Sequence, residues 1–154
     1  MAFSPFPVND NALASHDFGM KTISSRKFMG HISVAADEGG ATPYQNLDVD
    51  ETGVVVKSST GQLYGGMAFN LYGITPSGLP SLYLKIYDKA TAPTSGDTPK
   101  LTIPLESGEP VPIIIPACGV AFALGIGLRC TTGLAVADTG APITNACVVN
   151  LFYL

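Results

Sequence analysis

From Gly53 onward the chain repeats a two-residue hydrophobic alternation, and that period confines it to β structure. Leu82, Leu84 and Ile86 alternate with Tyr83, Lys85 and Tyr87, and the spacing recurs in Leu101, Ile103 and Leu105 and in Val111, Ile113 and Ile115. Met67, Phe69 and Leu71 share one side of a run whose other side holds Ala68, Asn70 and Tyr72. Ile126, Leu128 and Cys130 alternate with Gly127 and Arg129, and the final run places Cys147, Val149, Leu151 and Tyr153 together. Val54 to Lys57 forms a shorter strand. A strand turns successive side chains to opposite faces, so each run can line a core with one set and meet solvent or a neighbour with the other. The separators ITPSGLP, KATAPTSGDTP, ESGEP, PACG and ADTGAP concentrate the residues of tight connections. The pattern predicts an all-β chain of the β-sandwich, jelly-roll-like type. No apolar stripe at helical spacing is long enough to support a helical domain.

Composition divides the chain. Residues 1–52 are poor in apolar runs and carry three basic against seven acidic residues, whereas residues 53–154 carry five of each. The expected organisation is a largely extended N-terminal arm over 1–52 and a sandwich domain over 53–154. Within the arm, Lys27 to Val34 and a helix or turn around Asn9 to His16 are candidate ordered pieces, while DEGGATP and DVDETG read as loops. An arm with so little core of its own is expected to order against other subunits or another protein. Charged residues make up only 13% of the chain, about half the usual share. A surface so short of charge points to partners that cover part of it. No cluster of Lys and Arg suggests a nucleic-acid partner.

No secretory signal is expected, because MAFSPFPVNDN lacks a basic start and a continuous apolar stretch. Residues 111–128 are uncharged over nearly the length of a membrane span. Pro112, Pro116 and three glycines oppose a helix there, so two buried strands with a turn near Pro116 to Gly119 are expected and no membrane partner.

Catalytic chemistry finds little footing. Asp138-Thr139-Gly140 resembles the aspartic-protease signature, yet the remainder of the chain lacks the flap and second apolar-Gly element such sites need, so a turn is expected. His16 and His31 lie in the arm with no nucleophile motif near them. Asp48, Asp50 and Glu51 lack the spacing of a calcium loop, and no Cys or His grouping suits a transition metal. Gly125-Ile126-Gly127 lacks the third glycine and the strand–helix unit of a dinucleotide turn. No cofactor is therefore expected. Cys118, Cys130 and Cys147 sit in apolar runs and read as buried thiols of a reducing compartment, with a disulfide between two of them as the alternative. Tyr64, Tyr72, Tyr83 and Tyr87 are candidates for a sugar-stacking platform or, more simply, for packing between sheets or at an interface.

Four segments carry a resemblance. LYGGMAFNLYG (63–73), LYLKIYDKATAPTSGDTPKLTIPL (82–105), GVAFALGIGLRCTTGLAVADTGAP (119–142) and VVNLFYL (148–154) resemble a group of small bacteriophage virion proteins. The resemblance concerns strands and turns and has no catalytic motif to transfer. It implies a β-sandwich displayed on a virion: a capsid decoration (cement) protein, with a tail, baseplate or fibre-attachment component as the alternative. It further implies a homo-oligomer, a trimer, bound to the major capsid protein. Candidate capsid or subunit contacts are Phe3, Phe6, Lys27, Phe28 and His31 in the arm and Tyr83 and Tyr87 in the sandwich. A glycan-binding module using Tyr83 and Tyr87 is the reading from a different class.

Overall fold

The computed structural model describes residues 40–71 and 82–154, together with the backbone of Thr22–Ile23 and Arg26–Lys27. The chain divides into two units, Met1–Ala35 and Ala36–Leu154. In the first, β1 (Thr22–Ile23) pairs antiparallel with β2 (Arg26–Lys27). Of the expected arm, residues 1–21, 24–25 and 28–39, with the candidate pieces at Asn9 to His16 and from Phe28 to Val34, lie outside the described residues.

The second unit is all-β, with no helix among its described residues. Its strands are β3 (Thr42–Asn46), β4 (Val54–Lys57), β5 (Gly61–Asn70), β6 (Leu82–Asp88), β7 (Leu101–Leu105), β8 (Pro110–Ile113), β9 (Val120–Phe122), β10 (Ile126–Thr131) and β11 (Cys147–Tyr153). They form two antiparallel sheets. Sheet I has the order β4-β10-β6-β7, and sheet II the order β3-β11-β5-β8, with β9 also pairing β5. The pairing is nested: β3 and β4 lie beside β11 and β10 in opposite sheets, and β5 and β6 lie next inward in the same two sheets.

One core joins them. Leu82, Leu84 and Ile86 of β6 and Ile126, Leu128 and Cys130 of β10 face Leu63, Ala68, Cys147, Val149 and Leu151 of sheet II, all nearly or fully buried. Leu84 lies opposite Ile103, as the alternation requires for two strands sharing a core face. Burying each such side chain stabilises by about 1.5–3 kcal/mol relative to exposure.

The boundary expected at residues 52 and 53 moves upstream. Thr42–Asn46 pairs along β11 from Val149 to Tyr153, and Val49 is a core residue. Between them, Val49 N–H donates to the Cys147 carbonyl of sheet II (2.9 Å). The next residue's carbonyl, that of Asp50, accepts from Cys130 N–H of sheet I (2.7 Å). One dipeptide thus ties both sheets. Asp48 and Asp50, in the segment expected to be a loop, brace one distant and one local turn: the Asp48 carboxylate accepts from Asn145 N–H (2.6 Å) and that of Asp50 from Thr52 N–H (2.8 Å). The left-handed backbone of Asn145 (φ 61°) turns the chain just before β11.

The uncharged stretch 111–128 holds strands and a turn at Pro116 to Gly119, where Gly119 N–H meets the Pro116 carbonyl. Both β8 and β9 pair with β5, so the chain runs along one partner and residues 114–119 loop out between them, exposing Ile114 and Cys118. Among the described residues no helix is long and apolar enough to cross a membrane. Three of the outermost strands carry prolines, Pro43 in β3, Pro104 in β7, and Pro110 and Pro112 in β8, whereas β4 carries none. Proline has no N–H to donate, so each lowers the number of backbone donors its edge strand can offer.

Truncating a shared core side chain tests this arrangement. Leu128→Ala should destabilise the fold by about 3 kcal/mol. Urea unfolding should show a lower midpoint at unchanged slope, since the surface exposed on unfolding stays nearly the same.

Candidate functional site

A protein of two packed sheets has two outer faces, and here they differ in chemistry. On the outer face of sheet I, β6 and β10 present Lys85, Tyr87, Arg129 and Thr131, and all four are buried. Their cover is made of loops. Residues 132–140 fold back over the sheet, with Thr132 N–H donating to the Gly140 carbonyl (3.0 Å) where the loop's ends meet. Pro93, from the segment after β6, lies against Gly127 and Gly53. A Cβ at Gly127 would come 2.7 Å from the Pro93 ring, and one at Gly53 2.0 Å from its carbonyl oxygen. Only glycine admits so close a cover.

Carbonyl groups hold the buried cations. Lys85 Nζ donates to the Ala135 carbonyl (2.5 Å). Arg129 Nε donates to the Glu51 carbonyl (2.7 Å), Nη2 to the Asp138 carbonyl (3.3 Å) and Nη1 to the Tyr87 hydroxyl (3.5 Å). Burial pulls the Lys85 pKa down. The Asp138 charge opposes that shift, and the Arg129 charge reinforces it. A lysine that alternates with the apolar set of a strand is expected at the rim; Lys85 instead lies under a loop some fifty residues downstream. Asp138 closes a turn that begins at Ala135, and Thr139 and Gly140 follow it in the loop between β10 and β11. The Asp138 carboxylate accepts from Gly133 N–H (3.1 Å) and Gly140 N–H (2.9 Å), and its own N–H donates to the Ala135 carbonyl.

Tyr87, expected at a subunit or capsid contact, is 1% exposed and offers no surface to a partner. Its burial also removes half of the Tyr83–Tyr87 sugar platform. Tyr83 is half-buried. Phe3, Phe6, Phe28 and His31 lie outside the described residues, and Lys27 is described only as strand backbone. Among the described residues no group of three or more His, Cys, Asp or Glu could hold a metal ion.

No described residue outside sheet II is seen to cover its outer face as the loops cover sheet I. Cross-strand rows run Gln45–Asn150–Met67–Pro112 and Val148–Phe69–Pro110, with Phe152 beside Pro43. Met67 is 39% and Phe152 49% exposed, while Phe69 and Val148 are half-buried. None of the five strands of sheet II contains a charged residue; every charge within the strands of this unit belongs to sheet I. Alternation along β5 and β11 had shown two sides to each run without telling which faced inward. The missing charge is the signal in the sequence that marks this sheet.

Two carboxylates brace the loops at the end of sheet I. Asp88 accepts from Leu124 N–H (2.8 Å), Ala123 N–H (3.0 Å) and Lys100 Nζ (3.1 Å). Partial burial alone would raise its pKa. The Leu124 and Ala123 amides, the Lys100 ammonium and the Gly125 amide together outweigh that and lower it to about 2. Asp97 is also lowered to about 2, by its bond from Lys89 and then by the Thr94 amide.

Comparison with protein-family models, with curated proteins and with solved structures finds no match. The functional reading rests on the chain's own residues.

Two measurements probe this chemistry. Replacing Arg129 by Lys keeps the charge but loses the planar fork that reaches three acceptors, and should cost about 2 kcal/mol in chemical denaturation. Both Asp88 and Asp97 are depressed in the folded state, so their stabilisation is complete above the unfolded carboxylate range near pH 4 and is lost as pH falls toward 2. The melting temperature should drop across that window, and Asp88→Asn should flatten the drop.

Proposed function

We propose that this chain is a non-catalytic structural protein that works by packing the open face of sheet II against other protein. The observation that carries the proposal is a charge-free sheet whose outer side, built from Met67, Phe69, Val148, Phe152 and edge prolines, has no cover among the described residues. Apolar area left in water costs roughly 25 cal/mol per Å², and covering it is a driving force for association. The other outer face is already sealed by loops, so association through sheet II leaves the buried cations undisturbed.

The nested strand order supports a jelly roll, in which a folded ribbon places consecutive strands in opposite sheets. The resemblance of residues 63–154 to small bacteriophage virion proteins supports the finer reading: a capsid decoration protein, a homotrimer seated on the major capsid protein at the virion surface. Closed symmetry lets identical copies satisfy one another's apolar faces. Several attachment points per oligomer then hold a shell together by avidity, without chemistry.

A charge placed on the face tests the proposal. Phe152→Asp should convert an oligomeric wild type to monomer in sedimentation and weaken co-sedimentation with empty capsids at least about tenfold, while changing fold stability by under about 1 kcal/mol. A wild type that sediments as monomer and leaves capsids unbound would remove it.

A further inference from the structure

One margin of the two sheets is left as a usable strand edge. Strands β3, β7 and β8 carry prolines. Strand β9 carries none, but its Ala121 carbonyl is taken by Lys100 Nζ (2.5 Å). Strand β4, Val54–Lys57, has neither device. Among the described residues it pairs with β10 alone, at the end of sheet I. Its three consecutive valines suit a pleated strand, and every residue in it keeps its N–H.

Charge supplies a second, independent observation. Lys57 ends the strand, and Glu51 precedes it across Thr52 and Gly53. Among the described residues neither belongs to an ion pair; the pairs are Lys89–Asp97 and Lys100–Asp88. Lys57 Nζ lies over the Tyr153 ring, 5.8 Å from its centroid. Glu51 gives its backbone carbonyl to Arg129. A short edge ending in lysine ordinarily repels a neighbouring strand. A neighbour that brings an acid to that end is the exception, and a reversed copy of the same segment does so.

We propose that β4 is a self-association edge, pairing antiparallel with β4 of a second copy across a twofold axis. Antiparallel pairing brings Lys57 of each copy toward Glu51 of the other, so both lone charges find partners; parallel pairing would set lysine beside lysine. The twofold makes the contact self-complementary and closed, because each edge is consumed by the one opposite. Four residues and the register shift between Ile126 and Gly127 leave no length for further growth. A contact this small is weak between lone chains and gains strength where several act together. It uses no part of sheet II, so it joins sheet-II assemblies to one another through a separate surface.

Sedimentation of the full-length Phe152→Asp protein over rising concentration reads this contact apart from sheet II. The protein, monomeric when dilute, should become dimeric with a midpoint on the order of 0.1 mM. Lys57→Glu and Glu51→Lys should each weaken dimerisation about tenfold, and the two together should restore it to within about threefold. Hydrogen exchange at Val54–Lys57 should slow as concentration rises, a readout that leaves β4 unaltered. A protein still monomeric at about 1 mM would overturn the proposal. So would dimers indifferent to the single reversals, a folded double reversal that restores nothing, or protection confined to other strands. The two association readings fail separately. Without the sheet II contact, the wild type still dimerises through β4; without the β4 contact, the wild-type oligomer keeps one mass at every concentration.

Discussion

Lys85 and Arg129 point away from the apolar core, toward what would ordinarily be water, and the chain closes over them. Removing an ion from water costs several kcal/mol even after relaxation. Among the described residues no carboxylate pairs directly with either cation; backbone carbonyls of Glu51, Ala135 and Asp138 take that role. A loop whose carbonyls point inward must satisfy its amides elsewhere, and the Asp138 side chain receives two of them, from Gly133 and Gly140. The shape of residues 132–140 therefore follows from the charges beneath it.

That asymmetry divides the molecule by task. Sheet I, with its charges, is finished internally by loops from the segments after β6 and β10. Sheet II, uncharged along every strand, is finished on its inner side only. The two meet through a common core and through the Val49–Asp50 dipeptide, which lets a segment that reads as an acidic linker act as a tie between layers.

Much of the fold was legible in the period-two pattern. The runs at 82–88, 101–105 and 147–153 form strands nearly to the residue, because each alternates apolar side chains against a single buried face. Thr42–Asn46 escaped because TPYQN has no apolar alternation and contains a proline; its strand character comes from pairing with β11, a partner about a hundred residues away. Lys85 was misplaced for a related reason. A charged residue beside tyrosines reads as solvated, and nothing adjacent announces a distant loop that will seal it. The open face was half legible: Met67 and Phe69 were grouped on one side, but with apolar residues on both sides of β5 only the folded register separates core from surface.

The prolines in β3, β7 and β8 bear on crowding. An unfinished strand with regular donors is a template on which another chain can extend a sheet without limit, the route to fibrils. With Pro43 in β3 at one margin of sheet II, Pro110 and Pro112 in β8 at the other, and Pro104 in β7 on sheet I, that growth is opposed along these three strands. Edge-to-edge contact there is disfavoured relative to contact through a face.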